Sequence, residues 1–175
     1  MKVLLHICCG PCAAGPVEVL KEEGTAVWGC FFNPNVHPYL EHQKRLESAR
    51  KFCELAGVPL ICEPRYELEQ FLRLVVNHER ERCPICYRYR LEEVASVAKR
   101  EGFDAFSTTL LVSPYQKHDI VAEIGGDVGE KAGIEFYYKD FRPAWSRGRR
   151  IAKEMDLYRQ QYCGCIYSEK ERYLR

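Results

Sequence analysis

The chain has 175 residues, 46% hydrophobic and 29% charged, a balance that fits one soluble globular domain with its own core. A net charge of +1 excludes a global pull toward nucleic acid or membrane, so any such attraction has to come from local patches. No apolar run approaches the roughly 18 to 20 residues that cross a bilayer, and the start is too short and polar for a signal peptide, so a cytoplasmic location is expected.

Val3 to Ile7 is expected as a short buried strand, and Ala13 to Glu23 as a helix closed by Gly24. Thr25 to Phe32 is the second expected strand, ended by the turn Asn33-Pro34-Asn35. A long helix is expected over Pro38 to Leu55, stopped by Gly57, then a third strand over Val58 to Cys62. Tyr66 to Glu79 carries Leu68, Phe71, Leu72 and Val75 on one stripe, which predicts another helix. A further helix runs from about Ile85 to Arg100 and stops at Gly102. Phe103 to Thr108 and Ile134 to Tyr138 are the fourth and fifth expected strands, with a helix over Gln116 to Ile124 between them. A basic stretch, a helix over Arg149 to Met155 and a cysteine-bearing tail follow.

Strands alternating with helices imply parallel pairing, because parallel neighbours need a long crossover. The expected fold class is therefore α/β, a doubly wound parallel sheet of about five strands, with ligands at the carboxyl ends of the strands. The stretch HICCGPC, His6 to Cys12, leaves the first strand at such an end.

Ten cysteines in an intracellular chain point to metal or redox work more than to lasting disulfides. Cys9 and Cys12 form one C-x2-C, with Cys8 beside them; Cys83 and Cys86 form a second at a helix start; Cys163 and Cys165 form C-x-C. Cys30, Cys53 and Cys62 lie inside apolar patterns and read as core packing. Seven clustered thiols exceed one closed four-ligand zinc site, and an iron–sulfur cluster is the other common tenant of such sets. Thiol exchange at Cys9 and Cys12, where a helix dipole lowers thiol pKa, leaves the other two groups unexplained. A phosphate cradle in the same loop is disfavoured, since it has one glycine and Pro11 lacks an N–H. From spacing alone, iron–sulfur, zinc and thiol exchange all stay open.

Arg80, Arg82, Arg88 and Arg90 flank the second C-x2-C among Tyr87 and Tyr89. Arg142, Arg147, Arg149 and Arg150 lie in an acid-free stretch beside Phe141 and Trp145. Arginines hold phosphates and aromatics stack on bases, so both stretches suit RNA with an unpaired nucleotide, and both equally suit a solvated helix face. His37, Tyr115, His118 and Asp140 fall at or after expected strand ends, where each can position substrate or move a proton. His6 reads as a satisfied core histidine; His42 and His78 read as exposed helix positions.

HICCGPC, FFNPNVHP, RCPICYRYRL, STTLLVSPYQKH, KDFRPAWSRG and LYRQQYCGCIYS, in order from residue 6 to 168, resemble the cobalamin-independent epoxyqueuosine reductase family, the QueH type. The resemblance implies an adenine-nucleotide α-hydrolase (HUP)-like fold with cysteines where that fold holds its ATP loop. It implies reduction of the epoxide of epoxyqueuosine, at the tRNA wobble position, to queuosine. It further implies a 4Fe–4S cluster with an additional iron ion, tRNA as partner and an external electron donor. On that basis Cys8, Cys9, Cys12, Cys83, Cys86, Cys163 and Cys165 are the expected metal and cluster ligands, with Cys8 also catalytic. Tyr115 or Asp140 is the expected proton donor, and His37, His118, Arg142, Arg147, Arg149 and Arg150 are the expected substrate contacts. A zinc-stabilised RNA-binding module without catalysis and a tRNA sulfur-transfer enzyme are the rival readings.

Overall fold

A computed structural model describes residues 1–62 and 65–174; the side chain of Cys62 lies outside what it describes, and with it the expectation that Cys62 packs in the core. Five parallel strands form one sheet in the order β3-β2-β1-β4-β5, with β1 at Lys2–His6, β2 at Ala26–Phe31, β3 at Leu60–Cys62, β4 at Ala105–Thr108 and β5 at Glu135–Phe136. Leu4 of β1 stands between Trp28 of β2 and Phe106 of β4 in register. The residues Val3, Leu4 and Leu5 are wholly buried, as a central strand covered on both faces requires.

The helices are α1 (Gly10–Glu22), α2 (Tyr39–Ala56), α3 (Leu68–Val75), α4 (Arg82–Arg100), α5 (His118–Ala132), α6 (Trp145–Glu154) and α7 (Ile166–Tyr173). Right-handed crossovers place α1 and α2 on one face of the sheet and α4 and α5 on the other. The helix α6 returns to pack on α1, and α4 packs on α5. The chain winds outward from β1 to β3, then crosses back to β4 on the other side of β1. The carboxyl ends of β1 and β4 therefore flank the crevice where the winding reverses, the place where such sheets bind ligands.

The doubly wound parallel sheet is as expected, while several boundaries differ. Helix α5 runs on through Gly125, Gly126 and Gly129, a glycine-rich stretch whose weak helix propensity argued for a stop at Ile124. Tertiary packing reverses that preference: a Cβ on Gly125 would overlap the ring of Phe136, so glycine is what lets α5 lie close over β5. Helix α6 starts at Trp145, four residues before the expected position, and α7 forms in the tail, where no helix was expected. His42, expected on an exposed face, is wholly buried against the rings of Phe31 and Tyr66 because that face of α2 packs inward. Cys30 and Cys53 are buried as expected, and His78 is exposed. Among the described residues no helix is long and apolar enough to cross a membrane.

Candidate metal centre

The strand β1 ends at His6, whose ring ties three strand ends together. Its Nδ1 lies 2.9 Å from Thr108 Oγ1, and its Nε2 lies 3.1 Å from the Phe32 carbonyl and 3.2 Å from Asn33 Oδ1. Burial and then the charge of Arg90 lower its pKa to about 4, so it is a neutral structural hinge, as its place in the strand pattern suggests.

Three residues later the chain turns into α1. Cys9 is extended at φ −171° and caps the helix; Pro11 occupies the first turn, where its missing N–H costs nothing. Cys9 and Cys12 are then one turn apart on the same face, and Cys8 precedes them. The three sulfurs converge, all within 4.8 Å of one another. Cys8 Sγ is 3.9 Å from Cys9 Sγ. Thr109, at the end of β4, accepts the Cys8 N–H at 3.2 Å and donates its hydroxyl to Cys8 Sγ at 3.4 Å. Gln160 of the tail donates to Cys12 Sγ at 3.4 Å.

The trio distributes its protons unevenly. Hydrogen bonding from Cys12, then Cys9, then Thr109 holds Cys8 well below the usual thiol value, against the opposing effect of burial. Burial pushes Cys9 upward, and Cys12 rises chiefly because it shares its proton with Cys8 and Cys9. Three sulfurs that share their protons by hydrogen bonding are a set whose protons a metal cation displaces on binding.

The other four thiols do not converge as the trio does, the trio being the group of three or more such ligands that meets among the described residues, but they stand near enough to act on one another electrostatically as a second set. Cys83 and Cys86 lie on the first turns of α4, and Cys163 and Cys165 lie on the returning tail. Arg45 pins that tail: it is 1% exposed, pairs with Glu41 at 2.8 Å, and donates to the carbonyls of Cys163 at 2.7 Å and Tyr162 at 2.8 Å. Cys86 and Cys165 share a small apolar cluster with Phe71 and Val75. Burial raises Cys83 and pushes Cys86 up to about 12, with the charges of Cys163 and Cys165 adding to both.

A cavity of about 650 Å³ opens over the trio, and Cys8, Cys12 and Cys163 all line it. Of the other expected site residues, Tyr115 and Arg149 also line it, with Trp145 standing edge-on to Tyr115 at 6.1 Å between ring centroids. The rest lie elsewhere. Asp140 is clamped by Arg142 at 2.7 Å, and that guanidinium holds its carboxyl at about 2, leaving no proton to give at neutral pH. Arg147 is engaged by Glu22 at 2.7 Å, and Arg150 stands 3.8 Å from Glu154. His37 is only 2% exposed; its Nε2 meets the Pro34 carbonyl and its Nδ1 accepts the Ile166 N–H, so it braces the tail. His118 bonds the Tyr138 hydroxyl at 3.1 Å.

Sequence reasoning passed over Thr109, Gln116, Gln160, Arg159 and Arg172. Gln116 donates to Cys163 Sγ at 3.3 Å, and both Arg159 and Arg172 line the cavity. Arg159 and Gln160 lie four and three residues before Cys163 of the C-x-C pair, and that proximity was the available signal.

A profile of the family described as "Epoxyqueuosine reductase QueH" matches residues 3–171. A protein of that name from Dehalococcoides mccartyi is 42% identical over 98% of this chain and 94% of its own length. One from Thermotoga maritima is 33% identical over 97% of this chain and 91% of its own. Among solved structures, a predicted subunit of tRNA methyltransferase from Methanocaldococcus jannaschii superposes with a TM-score of 0.54 at 15% identity, covering 90% of this chain and 89% of that one, a likeness of fold. With the profile spanning nearly its whole length and the sulfur trio formed where the motif places it, this chain belongs to the epoxyqueuosine reductase QueH family.

Proposed function

We propose that this chain is an epoxyqueuosine reductase, removing the epoxide oxygen of epoxyqueuosine at the tRNA wobble position as water and leaving the cyclopentene of queuosine. The observation that carries this reading is the sulfur trio at the reversal point of the sheet, open to a cavity that Cys163 also lines. Family membership supports it.

The reaction consumes two electrons and two protons: both C–O bonds break, a C=C bond forms, and the oxygen leaves as water. The electrons come from an external donor. The donor set fits a thiolate-bound iron centre, since three sulfurs converge beside a buried cation and four more stand close by. Cys8, Cys9 and Cys12, together with members of the Cys83, Cys86, Cys163 and Cys165 set, would hold a 4Fe–4S cluster and an additional iron. That centre, when bound, supplies electrons singly and a Lewis acid for the epoxide oxygen.

The remaining work belongs to the protein. Trp145 and Tyr115 at the cavity wall offer aromatic faces and edges to an unpaired nucleoside. Arg149, Arg159 and Arg172 line the same cavity and hold the flanking phosphates. Tyr115 gives a proton to the opening epoxide oxygen; it is the expected donor that reaches the cavity.

Anaerobically purified, iron-loaded protein, given a reductant and tRNA bearing epoxyqueuosine, converts it to queuosine, read by nucleoside mass. Loaded protein that leaves the epoxide intact under those conditions would sink the proposal.

A further inference from the structure

Two arginines are buried near the thiols, and they differ in one respect. Arg45 has a carboxylate partner in Glu41. Arg90, on α4 and 2% exposed, has none among the described residues that forms an ion pair with it. Its Nε donates to the Cys86 carbonyl at 3.2 Å, its guanidinium lies over the Tyr87 ring at 5.9 Å, and its Nη2 is buried without a hydrogen-bond partner. The groups whose negative charge favours its cation are, in order, Cys86, Cys163, Cys8 and Tyr87. Arg90 also lines the cavity that Cys8 and Cys163 line.

A guanidinium taken out of water is expensive, by several kcal/mol, unless negative charge stands beside it. The groups around Arg90 that can supply such charge are three sulfurs, drawn from both thiol sets, and the Tyr87 hydroxyl. We infer that Arg90 is the built-in counter-ion of the thiolate centre, a fixed cation that shares the cavity wall with Cys8 of the first set and Cys163 of the second and is bonded to the backbone of Cys86. It acts through the sulfurs as a positioning residue and favours whichever state of the centre carries more negative charge. For a thiolate-bound iron centre that is the reduced state, so Arg90 makes the centre easier to reduce. This inference rests on the thiolate centre proposed above and is independent of which substrate is reduced.

The test compares Arg90→Met and Arg90→Lys with the unaltered protein, with urea unfolding as the check on folding; if Arg90→Met does not fold, Arg90→Gln replaces it. In metal-free, reduced protein, alkylation of Cys8 by iodoacetamide at neutral pH slows severalfold in the neutral variant, because a smaller fraction of Cys8 is then thiolate. In iron-loaded protein, the midpoint potential falls by about 59 mV, a tenfold shift for a one-electron couple. Arg90→Lys, which keeps the charge, stays close to the unaltered protein in both. Unchanged alkylation and potential in the neutral variant overturn the inference, as does an equal fall in the lysine variant. A raised KM for tRNA with both other readouts unchanged makes Arg90 a substrate contact and also overturns it. If the unaltered protein takes up no iron, the reductase reading falls, and the alkylation comparison alone decides the role of Arg90.

Discussion

Gln160 Nε2 stands 3.4 Å from Cys12 Sγ, joining the C-terminal tail to the first turn of α1 across 148 positions of sequence. With Thr109 on Cys8, it gives the trio hydrogen-bond donors from two distant segments. Such outer partners orient ligands and tune their donor strength. Gln160→Leu is expected to lower iron affinity by roughly tenfold to a hundredfold. Chelator competition on loaded protein measures it, and affinity equal to that of the unaltered protein would show the contact to be incidental.

Cys12→Ser replaces one of the three converging sulfurs. Iron per chain and visible absorbance are expected to fall together, and turnover to drop by more than about a hundredfold, because the centre then lacks a thiolate. Cys53→Ser, in the core away from the trio, is the control and is expected to keep its iron. Equal iron in the Cys12 and Cys53 variants would exclude Cys12 as a ligand.

Arg45→Met leaves Glu41 buried without its partner and frees the carbonyls of Tyr162 and Cys163. Breaking a buried pair from one side costs about 3–5 kcal/mol, which urea unfolding should register. The tail is expected to become the first site of limited proteolysis around Tyr162 and Cys163, since Arg45 is the α2 residue bonded to both of their carbonyls.

The two candidate proton donors separate by pH. Arg142 depresses the Asp140 pKa from 3.8 to about 2, so what this pair contributes to stability is present above the unfolded value and is lost as pH falls from about 4 to 2. Both side chains are more than one-third exposed, which keeps that contribution small. The Asp140 carboxyl is already ionised throughout pH 6 to 9, and Asp140→Asn is expected to leave the turnover profile over that range unchanged. Tyr115→Phe is expected to lower turnover by about a hundredfold or more, with iron content intact. The reverse pattern would move the proton donor to Asp140.

Gly148 of α6 passes so close to α1 that a Cβ on it would stand 2.8 Å from the Gly15 backbone nitrogen. Gly148→Ala forces the helices apart at a cost of about 1–3 kcal/mol. Because α6 carries Trp145 and Arg149 to the cavity, KM for tRNA is expected to rise as well; thermal unfolding and steady-state kinetics read the two effects.

The alternation of apolar strands with helices closed by glycine was legible in the chain, and with it the parallel sheet and the location of a site after β1. So was the trio, because Cys9 and Cys12 are one helical turn apart at a helix start. The extension of α5 was hidden, since Gly125 is a poor helix former until Phe136 is packed beside it. The role of Arg90 was hidden for a similar reason. Four arginines flank the second C-x2-C, and Arg90 alone of them is buried, a matter of which face of α4 meets the sheet.

What the sequence determined by itself was therefore everything that depends on neighbours within about a turn of chain: strand, helix, cap and the sulfur spacing. The tertiary structure alone decided which distant groups meet at the crevice between β1 and β4: Gln160 on Cys12, Thr109 on Cys8, and Arg90, with no carboxylate ion pair among the described residues, on the cavity wall with Cys8 and Cys163. Such meetings are fixed by the order of the strands and the return of the tail, and no local periodicity encodes either.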